Sequence, residues 1–472
     1  MSSNSRSARI SSDQITTPRD IPSLDVFLAD DRLAEALTYV SRAQLAEIAR
    51  SVFLRTREEL TSAKGRERTV TYDLLIAETL KQVHDYARQR LTRVINCTGV
   101  IAHTNLGRAP LSAEALAHTL DLITGYQTLE FDINTGSRGK RGLDVEADLC
   151  ALTGAESALI VNNCAGALFL LLNTLSNRKE TILSRGEMVQ IGGGFRVPDV
   201  MRRSGAKLVE IGTTNITTAE DYRQALTPKT ALLLKVSRSN FAQEGFTGEA
   251  SIKELASVAD EQSLPVVYDL GSGLVVNPAD VNLVGYPSVI GALRDGADAV
   301  CFSGDKLFGS AQAGLIVGKQ ALIGKLRKSP LYRALRPDKT TLALLAQTVH
   351  CYLNDTWREE IPLWKMALRP DSDLYQFGRA LIEETGDESV LTLTATSARY
   401  GAGSVPSATI PSCAICFRTS RSAKTIARLF REETPPIVGR IEDDNFILDL
   451  RTVTNADKTA LLTSIKSVLR QL

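Results

Sequence analysis

An aspartate and a lysine, each following a short apolar run, are the residues of this chain whose types and spacing best fit a definite chemistry. LPVVYD ends in Asp269 ahead of LGSG, and ADAVCF leads into Ser303-Gly304-Asp305-Lys306 and the glycine-bearing stretch LFGSAQAG. In an open α/β sheet, ligands sit beyond the carboxyl ends of the strands, where residues such as these can reach them. Pyridoxal phosphate needs such a pair. A carboxylate keeps the pyridine nitrogen protonated, so that the ring is an electron sink, while a lysine forms the internal Schiff base and later shuttles the Cα proton. By themselves the two residues are more readily a salt-bridged pair at a loop. A third element changes that balance: SALIVNN ends in Asn162-Asn163-Cys164-Ala165-Gly166 and runs straight into ALFLLLNTL. Small residues at a strand-to-helix turn leave backbone amides and the helix dipole free to meet a phosphate. The turn lacks GxxxxGK[ST], and Gly192-Gly193-Gly194 is not followed by Lys-Ser/Thr, so a nucleoside triphosphate loop is unsupported. Pyridoxal phosphate is therefore the expected cofactor. The catalytic candidates are Lys306 and Asp305, and the cofactor-binding candidates are Lys306, Asp269, Asn163, Cys164, Ala165 and Ser303, whose hydroxyl can reach the same phosphate.

The elements that must hold these residues follow from the texture of the chain. From about Val94, the runs SALIVNN, ETILSR, AKLVEIG, TALLLKV, LPVVYDL and ADAVCFSG alternate with amphipathic stretches, the pattern of a mostly parallel sheet flanked by helices. A helix near Thr341 to Tyr352 is expected to leave this domain, and VLTLTATS, SCAICFR, PPIVGRI and NFILDLR predict a smaller α+β domain. From Pro18 to about Leu91 the pattern is helical without a convincing strand, and Ile76, Leu80, Val83, Ala87 and Leu91 mark one helix face. The expected organisation is a disordered tail (1–16), a helical domain (17–92), a cofactor-binding α/β domain (93–345) and a small α+β domain (346–472).

Composition narrows the classes of function. With 472 residues, 43% hydrophobic and 23% charged, the chain is neither disordered, collagenous nor a disulfide scaffold. Lys plus Arg is 55 against 54 for Asp plus Glu, which argues against coating nucleic acid by charge alone. Local basic stretches remain. Residues 41–93 hold eleven Lys/Arg and seven Asp/Glu, and residues 319–339 hold seven Lys/Arg and one Asp, either of which is also read as a solvated helix surface. Seven dispersed cysteines suit a reducing compartment. Cys413 and Cys416 fall on opposite faces of a predicted strand, so no metal site is expected. The stretch Ala158 to Leu172 is broken by Asn162 and Asn163 and is too short to span a membrane. The N-terminus is polar and serine-rich without the apolar core of a signal peptide, making the cytoplasm the expected location.

Longer segments carry a resemblance over roughly residues 18–472: RDIPSLD, VINCTGVIAHTNLGRAPLS, SRGEMVQIGGGFRVPDVM, EIGTTN, LPVVYDLGSG, SGDKLFGSAQAGLIVGK, LYRALRPDK and PPIVGRIEDD. The chain resembles the bacterial L-seryl-tRNA(Sec) selenium transferases, or selenocysteine synthases. The resemblance implies a type I aminotransferase-like fold, an N-terminal helical domain that binds tRNA, and a ring-shaped homodecamer built from dimers. It implies conversion of L-seryl-tRNA(Sec) to L-selenocysteinyl-tRNA(Sec) with selenophosphate, through a dehydroalanyl intermediate on pyridoxal phosphate. By the same resemblance SGDK makes Lys306 the Schiff-base lysine, YDLGSG makes Asp269 the partner of the ring nitrogen, and Arg108, Arg141, Arg333 and Arg336 bind anions. The guanidinium fork suits a small, multiply charged selenophosphate. The chain departs from the family where KVHTSNY becomes Lys235-Val236-Ser237-Arg238-Ser239-Asn240-Phe241, and where Cys164 replaces a common third Asn. The alternatives are a pyridoxal-phosphate lyase of a small amino acid or amino sugar, and a non-catalytic tRNA-binding relative; the N-terminal helical region disfavours the first and Lys306 the second.

Overall fold

The structure, a computed structural model, describes residues 14–62, 70–88, 90–401 and 405–472. The chain divides into two units, Met1–Arg93 and Val94–Leu472.

The first unit is built on the helices Arg42–Thr61 and Tyr72–Arg88. Ser41 starts the former through a capping box with Gln44, which satisfies two amides that the first helical turn leaves unpaired. Phe27 anchors the core edge-on against Phe53 and Tyr72, with ring centroids 4.9 and 5.7 Å away. Two short strands replace what the sequence predicts as tail and helix: Gln14–Ile15 pairs antiparallel with Val70–Thr71. Ile15 and Val70 are buried in the helical core, which holds the pair in place. The rest of the expected tail, residues 1–13, lies outside the described residues. Ile76 and Val83 face the core as predicted, but Leu91 lies beyond the helix end and is fully exposed.

In the second unit a seven-stranded sheet has the order Lys207–Ile211, Glu180–Ser184, Thr230–Val236, Val266–Gly271, Ala299–Ser303, Gly314–Gly318, Ser157–Val161. All pairings are parallel except those of Gly314–Gly318, which runs antiparallel to both neighbours. The six predicted apolar runs are six of these strands; the seventh begins at Gly314, the last residue of the stretch read as glycine-bearing, and is not among the predicted runs. Its glycines are what admit it, since a Cβ at Gly314 or Gly318 would run into the carbonyl of Asn163 or Asp298. Alternation along the strands divides the apolar side chains between two cores, with Val300 and Phe302 on one face and Ala299 and Cys301 on the other.

The helix Lys339–Leu353 does not leave this layer. Leu342, Leu345 and Val349, spaced three and four residues apart, pack into the first of these cores together with Trp357 and Trp364. A separate antiparallel sheet, ordered Leu391–Arg399, Thr409–Phe417, Asn445–Asp449, Arg440–Glu442, packs with helices Asp371–Thr385, Ala423–Glu432 and Lys458–Leu469 around a third core. Ile95 and Cys97 join that core, because Ile95–Asn96 pairs with Ile437–Val438.

Candidate active site

Strand register sets the floor of the site. In the parallel pairs, Val236 lies opposite Asp269 and Asp269 opposite Cys301, so all three point to the same face of the sheet. That face packs against the helix Cys164–Ser176, whose apolar residues Ala167, Leu168 and Leu171 are buried in the same core as Val236 and Cys301. Asn163 caps the helix by accepting the Gly166 amide at 2.8 Å, and the Asn162 amide donates to the Leu335 carbonyl at 2.8 Å. The helix N-terminus, with its unpaired amides, thus opens onto the strand ends.

A cavity of about 290 Å³ occupies this position. Lys306, Asp269, Asn163, Cys164, Ala165, Ser303 and Arg108 line it, joined by Ser237, Ser239, Gly271, Phe195 and Gln312. Asp269 and Lys306 are both buried. Burial raises the Asp269 carboxyl above its ordinary range, with Lys306 and the thiols of Cys301 and Cys164 opposing it. Burial likewise pushes the Lys306 ammonium down, with Asp269 among the groups that oppose it. Gly271 leaves room between the two. A Cβ there would stand 3.7 Å from the Lys306 Nζ and 3.9 Å from the Asp269 Oδ1. A buried carboxylate, a buried amine, helix-terminal amides and open space between them suit pyridoxal phosphate.

Other predicted residues are placed differently. Asp305 does not line the cavity: its carboxylate accepts from Arg108 Nη1 at 2.9 Å to both oxygens and from the Ser303 hydroxyl at 2.6 Å. The Ser303 hydroxyl is therefore turned toward Asp305. Among the predicted arginines, only Arg108 reaches the cavity. Arg141 Nε donates to Glu130 at 2.8 Å, and Arg336 lies 3.6 Å from the same carboxylate, which Arg138 also engages at 2.6 Å. The Arg141 guanidinium, with Arg138, holds Glu130 below the usual carboxylate range. Arg333 is exposed. Of the seven basic residues in the stretch 319–339, three are engaged in ion pairs within the fold, Lys319 with Asp298, Arg327 with Glu146 and Arg336 with Glu130, while Lys325, Lys328 and Arg333 are exposed.

The sequence reading missed Cys301, whose thiol donates to Asp269 Oδ1 at 3.6 Å. Counting the register of LPVVYD against ADAVCF would have exposed it. Among the described residues, Cys164, Asp269 and Cys301 bring three metal-ligating atoms within 4.8 Å of one another. Of the departures from the family motif, Ser237 lies on the cavity wall, whereas Arg238 pairs with Glu249 at 3.0 Å and Phe241 is partly exposed.

With this geometry in place, the chain compares closely with known proteins. A family model described as L-seryl-tRNA selenium transferase matches residues 94–454. The L-seryl-tRNA(Sec) selenium transferase of Sulfurimonas denitrificans is 39% identical over 451 residues, covering 95% of this chain and 98% of the relative. That of Aquifex aeolicus is 40% identical, covering 91% and 94%. Among solved structures, D-glucosaminate-6-phosphate ammonia-lyase superposes with a TM-score of 0.59 at 19% identity, covering 82% of this chain and 98% of its own, a likeness of fold. The type I aminotransferase-like fold implied by the sequence is present.

Proposed function

The chain belongs to the L-seryl-tRNA selenium transferase family, and from that premise we propose that it converts L-seryl-tRNA(Sec) to L-selenocysteinyl-tRNA(Sec) with selenophosphate as selenium donor. The observation that carries the reading is a buried Lys306 and a buried Asp269 facing one cavity at a helix N-terminus. Bound there, pyridoxal phosphate supplies an electron sink that acidifies the Cα–H of a seryl group and lets its β-hydroxyl leave. Asp269 holds the proton on the ring nitrogen. The amides of Cys164 and Ala165 would hold the phosphate, and Lys306 Nζ takes the Cα proton and returns it, a role favoured by burial, which lowers the proton affinity of its amine. Arg108, fixed by Asp305, supplies positive charge at the cavity wall. Arg141, Arg333 and Arg336 form the proposed anion-binding group outside it, where displacing Glu130 would free two guanidiniums for a phosphate-like donor.

The helical domain 17–92 is the proposed tRNA-binding part. Arg42, Arg50, Arg55 and Arg57 are exposed along one helix, with Arg50 and Arg55 partly offset by Glu47 and Glu78. Association with further copies is supported by exposed apolar side chains over one stretch, Leu116, Leu120, Tyr126, Phe131 and Ile133, and the family resemblance makes the proposed assembly a homodecamer. Among the described residues no helix is long and apolar enough to cross a membrane; the cytoplasm is the proposed location.

The test combines cofactor mapping with turnover. Borohydride should fix pyridoxal phosphate to a single peptide containing Lys306, and the loaded enzyme should form selenocysteinyl-tRNA from seryl-tRNA(Sec) and selenophosphate. Labelling elsewhere would overturn the site. Release of ammonia from small amino acids or amino sugars, with seryl-tRNA untouched, would assign the chain to the lyase class.

A further inference from the structure

Two thiols contact the carboxylate that faces the cavity, and nothing in the proposed reaction uses them. Cys164 Sγ donates to Asp269 Oδ1 at 3.7 Å and Cys301 Sγ donates to the same oxygen at 3.6 Å. They reach it from different elements: Cys301 is the in-register neighbour of Asp269 on the adjacent strand, and Cys164 is the first residue of the helix that Asn163 caps. Both therefore have little freedom to turn away. Oδ2 of Asp269 accepts no hydrogen bond from the described residues, and the residue lines the cavity. The two oxygens are thus differentiated, one occupied by sulfur donors and one without a hydrogen-bond donor among the described residues.

We infer that Cys164 and Cys301 are positioning residues that act through Asp269, occupying Oδ1 with weak donors so that Oδ2 keeps most of its strength as acceptor for the ring nitrogen of pyridoxal phosphate. This rests on the cofactor reading above. The choice of donor matters because a thiol is a weak hydrogen-bond donor and a hydroxyl a strong one. A hydroxyl on Oδ1 would draw charge away from Oδ2, whereas no donor at all would leave more charge there. Burial magnifies the difference, because little solvent intervenes to screen it.

The inference makes a prediction about sign that a purely structural role does not. Holoenzyme is prepared with cofactor labelled with 15N at the ring nitrogen, and NMR reads the resonance of the proton attached to that nitrogen. A stronger acceptor moves it downfield. Cys301→Ala should shift the resonance downfield and Cys301→Ser upfield of the unsubstituted enzyme, with Cys164→Ala and Cys164→Ser giving the same pair of signs. Lost packing would move both substitutions at a position in one direction. Shifts of equal sign, or a resonance unmoved by all four variants, would overturn the inference while leaving the cofactor reading intact. Unsubstituted protein that takes up no labelled cofactor would overturn the cofactor reading and this inference together.

Discussion

Lys306 occupies a position where burial works against its charge, and that has a measurable sign. The nucleophile toward an aldehyde is the neutral amine, and the neutral fraction rises as pH passes the amine's pKa. Capture of pyridoxal phosphate by the cofactor-free protein should therefore accelerate with pH, with its midpoint below the value of about 10.4 typical of a free lysine. Borohydride trapping at intervals after mixing would measure it. A midpoint at or above the free-lysine value would contradict the burial argument. At this scale Lys306 and Asp269 were legible because each follows an apolar run and the small-residue turn Asn162 to Gly166 accompanies them; alone, the pair reads as a salt bridge at a loop. Cys301 was not, since a cysteine inside a buried strand looks like any small core residue until the register is known. The arginines were legible in type only: Glu130, which gathers Arg138, Arg141 and Arg336, is distant in sequence from the last of them and carries no motif.

Arg327 shows how elements are tied together behind the site. From the helix Gln320–Lys328 it makes two hydrogen bonds to Glu146, at 3.2 and 2.7 Å, and one to the Ala158 carbonyl at 2.9 Å, joining a second helix, Leu143–Thr153, and the edge strand. Burial raises the Glu146 carboxyl above its ordinary range, and Arg327 opposes that shift. Arg327→Ala would leave the carboxylate buried without its partner and should cost about 3 kcal/mol at neutral pH, measured by urea unfolding. A carboxyl whose folded pKa exceeds its unfolded value binds its proton more tightly when folded. The loss should therefore shrink as pH falls toward the carboxylate range, and a loss that grows on acidification would refute this account. The six parallel strands were legible from apolar runs of ordinary length. Gly314–Gly318 was not, because its glycines read as loop punctuation when their actual role is to let a strand lie against the carbonyls of Asn163 and Asp298.

At the scale of the whole molecule, each core draws its residues from one unit only: the first from Ile15 to Val83, the others from Ile95 onward. A protein beginning at Val94 should therefore fold, bind pyridoxal phosphate and lose affinity for tRNA by about tenfold or more, roughly 1.4 kcal/mol, in a binding titration. Unchanged tRNA affinity would place recognition in the catalytic part. The change of texture near Val94 was legible, but the pairing of Ile95–Asn96 with Ile437–Val438 joins segments too far apart in sequence for any local pattern to reveal. The antiparallel strand has a consequence for synthesis. Ser157–Val161 is an edge strand, and its neighbour Gly314–Gly318 is translated about 150 residues later, a wait of roughly 8–30 seconds at ordinary elongation rates. During that interval the apolar edge of a growing chain stands unpaired and open to chaperones or to other chains. A nascent chain that already holds Asp269 and Lys306 still lacks the strand that aligns Asn163 and Cys164 beside them, so cofactor capture follows the emergence of Gly318 from the ribosome.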